Sequence, residues 1–336
     1  MAPQPPLLGV TMGDPAGIGS ELIIKSYPQL ADEANLVVLG DLDVLQAAVD
    51  DCNSDLWVNP IPSVEEAAFA DGVVDVVDFD NVERLNRGEC RAEYGRAALD
   101  YITAGADLAL DGRIDALVTA PIHGESIART GSEHTDHMDL LADRTDTDEY
   151  TMLLLQGQLV VSHVTVHEPL KTAVDRVTKQ SVLQTIQLTE DGLETLGIVE
   201  PSIAVAGLNP HAGRDGLGTE ERDEIQPAVD AAREAGIDAM GPYVPDELFN
   251  KGTYGAYDGL VAMYHDQGHI PIYLNGMIEN PGAVSGVNMT IGLPIVRTGT
   301  IQGVCFEIAG RGIARPDSLV EAMRTAAEAV EAKKRA

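Results

Sequence analysis

Basic residues are scarce in this chain. Lysine occurs only at Lys25, Lys171, Lys179, Lys251, Lys333 and Lys334, and Lys plus Arg total 22 against 54 Asp plus Glu in 336 residues, a formal charge of −32. Nucleic-acid affinity comes mostly from Lys and Arg displacing counterions at phosphates, so neither nucleic acid nor an anionic membrane surface is expected as a partner. The acidic residues form no long block of the kind an interaction tail carries. They are spread along the whole chain, which reads as adaptation to high salt, where screening relieves self-repulsion.

Cysteine is rare too. Cys52, Cys90 and Cys305 are odd in number, widely spaced and free of CxxC patterning, so neither a disulfide framework nor a zinc-thiolate site is indicated. A reducing, cytoplasmic setting fits. No apolar run approaches about 18 residues, and Met1 to Pro6 carry neither a basic nor an apolar leader region, so no membrane span and no export signal are expected. Internal repeats, low-complexity tracts and a Pro/Gly/Ser linker are likewise missing.

What is present is an ordinary globular composition, 44% hydrophobic, in a chain long enough for about two lobes at roughly 150 residues per domain. Residues 1–336 read as one two-lobed catalytic unit. A short apolar strand, Leu7 to Met12, runs into Gly13-Asp14-Pro15-Ala16-Gly17-Ile18-Gly19 and a helix from Ser20. Further strands are expected at Asn35 to Gly40, Ala116 to Thr119, Tyr150 to His167 (a pair), Ser202 to Ala206 and Gly259 to Met263. Helices are expected at Leu42 to Val49, Glu93 to Leu110, Lys171 to Thr195, Thr219 to Ala235 and Ser318 to Lys334. This alternation predicts an α/β fold with a largely parallel sheet, in which loops at strand carboxyl ends carry ligands.

Several features could carry chemistry. The Gly13–Gly19 segment either cradles an anion at a helix N-terminus or makes a tight strand-to-helix turn. It matches neither GxGxxG nor GxxxxGK[ST]. Of the eight histidines, His167 is expected to end one strand, while His211 follows a second in Gly207-Leu208-Asn209-Pro210-His211-Ala212-Gly213. His265 follows a third in Met263-Tyr264-His265-Asp266-Gln267-Gly268. Three imidazoles from three strand ends either converge on one divalent cation or lie separately in surface loops. His134 and His137, beside Asp136 and Asp139, form either a second acid–base or metal cluster or a polar helix N-terminus.

These segments, with Thr11-Met12 ahead of Gly13, Ser20-Glu21, Thr119-Ala120-Pro121 and Gly286-Val287-Asn288-Met289-Thr290-Ile291-Gly292-Leu293-Pro294-Ile295-Val296-Arg297-Thr298, resemble in family order the 4-hydroxythreonine-4-phosphate dehydrogenases, the PdxA family, related to isocitrate and isopropylmalate dehydrogenases. The resemblance spans Leu7 to about Leu319. It implies a two-lobed isocitrate/isopropylmalate dehydrogenase-like α/β fold and a homodimer, with active sites in the inter-lobe cleft that draw residues from both subunits. It implies His167, His211 and His265 as metal ligands, and His137, Asn288 and Arg297 as substrate contacts. The implied reaction is NAD- or NADP-dependent, metal-dependent oxidation with decarboxylation of a small hydroxy acid 4-phosphate, with zinc, magnesium, manganese or cobalt as the ion. Asp266 either orients His265, relays a proton as a catalytic group, or serves only the turn.

Some positions depart from the family pattern. Its Gly-His-Thr-Glu becomes Asp136-His137-Met138-Asp139, which puts the Met138 thioether where a hydroxyl would meet substrate; matching His134-Thr135-Asp136 instead needs an insertion. Lysines usual in the family give way to Gly124 and Tyr273. Gly268-His269-Ile270-Pro271 and Val284-Ser285-Gly286-Val287-Asn288 are more similar to a catabolic branch acting on threonate or erythronate 4-phosphate, whereas Met138, Gly124 and Tyr273 favour an unphosphorylated hydroxy acid or cyclic dihydrodiol carboxylate; a binding protein without turnover is the rival from another class. Retention of all three motif histidines argues against the last.

Overall fold

A computed structural model describes residues 5–30, 33–279 and 285–335. Most of the segment expected to lack a leader, residues 1–4, lies outside the described residues. The chain divides into two compact units, Met1–Asp148 with Leu293–Ala336, and Glu149–Gly292.

The first unit is built on runs of consecutive apolar residues. β1 (Leu7–Thr11), β2 (Asn35–Gly40), β3 (Trp57–Ile61), β4 (Val73–Asp78) and β5 (Ala116–Thr119) are joined by α1 (Gly19–Leu30), α2 (Leu42–Asp51) and α3 (Ala92–Leu110). α4 (Gly124–Ala128) and α5 (His137–Arg144) follow β5. Along β2, Leu36, Val37, Val38 and Leu39 are all buried. No polar residue alternates with them, as expected for a parallel strand covered on both faces.

β12 (Arg297–Thr300) and α11 (Asp317–Arg335) complete this unit. Its strands run in the order β3-β4-β2-β1-β5-β12, every neighbouring pair parallel. The direction of strand addition reverses at β1, whose neighbours are β2 and β5, so the loops after β1 and β5 flank the crevice where open α/β sheets receive ligands. Val37, Ile102, Ala106, Ile114, Leu117, Leu141 and Ile295 share one apolar cluster that ties α3 and α5 to the sheet. α11 buries Leu319, Ala322, Met323, Ala326 and Val330 at helical spacing and ends on Lys333, Lys334 and Arg335, cations that complement the helix dipole. Lys25 works inside the unit: its Nζ donates to the carbonyls of Gly312 and Ala314 at 2.6 and 2.7 Å.

The second unit carries β6 (Thr151–Gln156), β7 (Leu159–His163), β8 (Ile203–Ala206), β9 (Ala239–Tyr243), β10 (Gly259–Ala262) and β11 (Val287–Ile291). Its helices are α6 (Leu170–Arg176), α7 (Lys179–Thr195), α8 (Gln226–Glu234), α9 (Pro245–Gly252) and α10 (His265–Glu279). The order is β11-β6-β7-β10-β8-β9; β6 pairs antiparallel with both β11 and β7, and the remaining pairs are parallel. A capping box between Thr178 and Ser181 starts α7, whose Val182, Ile186 and Leu193 pack with Ile203, Val205, Val261 and Met289.

Three expectations need correction. The strand pair ends at His163, so His167 lies in the loop beyond it. The helix expected over Lys171 to Thr195 is two helices, α6 and α7, because Val177 and Thr178 are extended and Thr178 caps the second. The expected loop around His265 is the first turn of α10, a helix that contains Pro271.

Candidate active site

In the second unit, β7, β10 and β8 are adjacent and parallel, so the segments leaving their carboxyl ends emerge on one edge. The first supplies His163 and His167, the second His265 and His269. The His167 and His265 ring centroids are 5.7 Å apart. His265 Nδ1 lies 2.7 Å from Asp266 Oδ1. A carboxylate there selects the tautomer that donates from Nδ1 and leaves the Nε2 lone pair available to a metal. His167, His265 and Asp266 line a cavity of about 300 Å³, with Val166, Leu170 and Tyr264 among its walls.

His211 stands differently. It is exposed and has φ 55°, in a turn where Ala212 and Asp215 are also left-handed. Among the described residues, no three His, Cys, Asp or Glu side chains are placed to hold a metal ion. His167 and His265 beside this cavity are two donors of the imidazole type a divalent ion takes, which is a partial set for such an ion within one chain.

Two histidines outside the expected set join this cluster. His269 stacks on His265 with centroids 3.7 Å apart and planes 13° from parallel, and His163 lies 5.2 Å from His269. Burial pulls the His269 pKa down to about 4, with His265 adding to the effect. His163 is fully buried and is held well below the usual imidazole range, first by burial and then by His269 and His265. The i, i+4 spacing of His265 and His269 is the sequence signal for this stack, and it has meaning only in a helix. Tyr273, one turn further along, continues it, its ring 6.2 Å from His269 at 22°. Asn288, half-buried on β11, donates to Met152 Sδ at 3.2 Å.

The first unit holds the other expected contacts. Arg297 opens β12 with only 2% exposure, and its Nη2 donates to Thr119 Oγ1 at 2.6 Å. Burial lowers its pKa to about 10, with Asp136 opposing the shift. Asp136 caps α5, its Oδ1 accepting the amides of Met138 and Asp139 at 2.9 and 3.1 Å. This is the polar helix N-terminus among the two readings of that segment. His137 follows the cap; its Nε2 is enclosed and makes no hydrogen bond among the described residues. Burial, and then the Arg297 charge, hold His137 well below the usual imidazole range. Met138 is buried. Gly124 begins α4, capped by His123.

The Gly13–Gly19 segment is buried throughout. Gly13 has φ 72°, and a Cβ there would sit 2.2 Å from the Pro121 carbonyl oxygen. The tight turn is thus the reading that the packing favours at this glycine. Asp14 closes the turn by accepting the Ala16 amide at 2.9 Å, and burial raises its pKa.

This α/β fold occurs in dehydrogenases: isocitrate dehydrogenase from Methylococcus capsulatus shares it at TM-score 0.50 and 15% identity, over 98% of this chain and 88% of that one. That likeness shows the fold alone, and likenesses at higher identity show the family. The family described as "Pyridoxal phosphate biosynthetic protein PdxA" matches residues 32–326, and the chain belongs to that family. It is 40% identical over 333 residues to 4-hydroxythreonine-4-phosphate dehydrogenase of Desulforapulum autotrophicum, covering 97% of this chain and 96% of the relative. It is also 40% identical over 328 residues to D-threonate 4-phosphate dehydrogenase of Cupriavidus necator, covering 96% and 97%. The crystal structure of 4-hydroxythreonine-4-phosphate dehydrogenase from Klebsiella pneumoniae superposes with TM-score 0.85 at 36% identity, over 98% of this chain and 99% of that one. Among the described residues, no helix is long and apolar enough to cross a membrane.

His137 gives the site a pH signature. Its pKa in the folded chain lies well below the ordinary 6.5, so the unfolded chain takes up its proton first as pH falls. That proton contributes nothing above the unfolded pKa and destabilises the fold below it, at up to about 1.4 kcal/mol per pH unit. In urea titrations between about pH 7.5 and 5, a window spanning the unfolded imidazole pKa, His137→Asn is expected to show a shallower loss of stability than the parent. Equal slopes would refute a neutral His137.

Proposed function

We propose that this chain catalyses NAD- or NADP-linked, divalent-metal-dependent oxidation, with decarboxylation, of a small hydroxy acid 4-phosphate of the 4-hydroxythreonine or threonate/erythronate type. The names of the similar dehydrogenases support the substrate class. The observation that carries the reading is Arg297, a guanidinium buried to 2% exposure. Its planar fork presents several donors, of which Nη2 meets Thr119, and a guanidinium of this kind is suited to bidentate contact with an acid group.

His167, His211 and His265 would hold the ion, which when bound would supply Lewis-acid polarisation of the substrate oxygen, and a nicotinamide cofactor would supply the hydride acceptor. Zinc, magnesium, manganese and cobalt are the candidates, with imidazole ligands favouring the softer ones. Asp266 Oδ1 accepts the Nδ1 proton of His265 and so directs Nε2 outward. Neutral His137 offers its enclosed Nε2 to the substrate, either donating or accepting one hydrogen bond. Arg297 fixes the acid group, with Thr119 holding the guanidinium; Asn288 and Tyr273 supply further polar contacts, and Met138 shapes the wall beside His137. Tyr273 and Gly124 are uncharged where the resemblance implies lysines, so in this reading the phosphate rests on fewer cations.

We further propose a cytoplasmic homodimer in which a second copy completes the ligand set. α10 supports this reading: Ile270, Leu274, Met277 and Ile278 are 57%, 55%, 57% and 77% exposed at i, i+4, i+7 and i+8, a stripe on one helix face. For a chain of charge −32, an apolar face is one that two copies can share without bringing like charges together. Leu274→Glu is expected to shift the species seen by analytical ultracentrifugation from dimer to monomer; an unchanged dimer would place the contact elsewhere.

Activity is tested by NAD+ and NADP+ reduction at high salt with added Mg2+, Mn2+, Zn2+ or Co2+. The substrates are 4-phosphohydroxythreonine, D-threonate 4-phosphate and unphosphorylated D-threonate. Turnover confined to the unphosphorylated acid would overturn the proposal. Arg297→Met should raise KM about 10- to 100-fold, the scale of a charged hydrogen bond at about 1.5–3 kcal/mol.

A further inference from the structure

We propose that His269 is a positioning residue: its ring, stacked on His265 and seated over buried His163, holds the His265 imidazole with Nε2 directed to the cavity. The inference rests on the reading of His265 as a metal ligand.

The His265 ring is constrained along its edge and on its face. Asp266 Oδ1 holds Nδ1 at 2.7 Å, but that carboxylate is 72% exposed and competes with water for its partner. The face is covered by His269 at 3.7 Å and 13°. His269 is itself anchored, with Nδ1 3.2 Å from the His265 carbonyl oxygen, a geometry in which Nδ1–H donates. Tyr273 lies 6.2 Å from it, further along the helix. Residues 265, 269 and 273 thus form a column of rings along one face of α10, each one helical turn from the next.

The column rests on His163, whose centroid is 6.4 Å from His265 and 5.2 Å from His269. Gly268 makes this approach possible: a Cβ there would lie 2.3 Å from His163 Nε2 and 2.9 Å from Val161 Cγ1. Its hydrogen atom leaves the space that the buried imidazole fills, and α10 packs on β7 through that contact. The ring face of His269, rather than its nitrogen, therefore carries the positioning.

The test compares the parent with His269→Phe, which keeps a stacking ring, and His269→Ala, which does not; His269→Leu keeps bulk without a ring should alanine loosen the helix. Imidazole 15N resonances of the metal-free protein report the His265 tautomer, and Co2+ titration reports affinity. The parent and His269→Phe are expected to show one His265 tautomer, protonated at Nδ1, and equal Co2+ affinity. The ring-less variants should show mixed tautomers and affinity weakened about 10- to 100-fold, the usual scale for groups that orient a ligand. A parent-like tautomer and affinity in both ring-less variants would overturn the proposal, as would a loss in His269→Phe equal to that in His269→Ala, which would make the nitrogen itself the active group. Undiminished Co2+ affinity in His265→Ala would instead sink the ligand assignment, and the tautomer measurement on metal-free protein would still decide the role of His269.

Discussion

Three adjacent parallel strands, β7, β10 and β8, set where the histidine-bearing segments of the second unit leave its sheet. Parallel strands send their carboxyl ends to one edge, so residues far apart in sequence leave the sheet side by side. His163 ends β7 and His167 follows it, His211 follows β8 and His265 follows β10. One reversed strand would remove a histidine from that edge. The hydrogen-bonded ladder therefore comes before the imidazole cluster in the causal order, and the loops only adjust it.

Both units place charged or polar groups where water is scarce, and each manages the cost differently. Arg297 keeps its charge, with a lowered pKa and the Thr119 hydroxyl as a partner. His163 and His137 give theirs up and remain neutral. A neutral imidazole keeps a lone pair to offer, whereas a guanidinium offers donors only. Similar burial leaves the guanidinium charged and the imidazoles neutral because the ordinary pKa of arginine, 12.5, starts so far above the 6.5 of histidine.

The parts of the fold most legible in the sequence are those with continuous apolar runs. Asn35 to Gly40 and Ala116 to Thr119 match β2 and β5 at both ends, because a strand covered on both faces has few polar residues to blur it. α10 is hidden because Gly268 and Pro271 are both poor helix formers, yet here the glycine serves contact with His163. Pro242 in β9 and Pro60 in β3 conceal those strands for a similar reason. At the site, the motif histidines stand out by neighbours such as Asp266. His163 and His269 do not, since what brings them to the cluster is stacking and burial, which depend on what α10 packs against.

Lys25 gives the acidic composition a second meaning. Its ammonium group is spent on two peptide carbonyls, those of Gly312 and Ala314, and so belongs to the architecture rather than to the solvent-facing charge. Depletion of lysine therefore cannot act evenly along the chain. A lysine that only faces solvent can be exchanged at small cost, whereas this one works as a rivet between α1 and the segment that leads into α11. Counted as charge it is one cation against a large acidic excess; counted as mechanics it closes a seam that no carboxylate could close, because carbonyl oxygens accept and only a donor can join two of them.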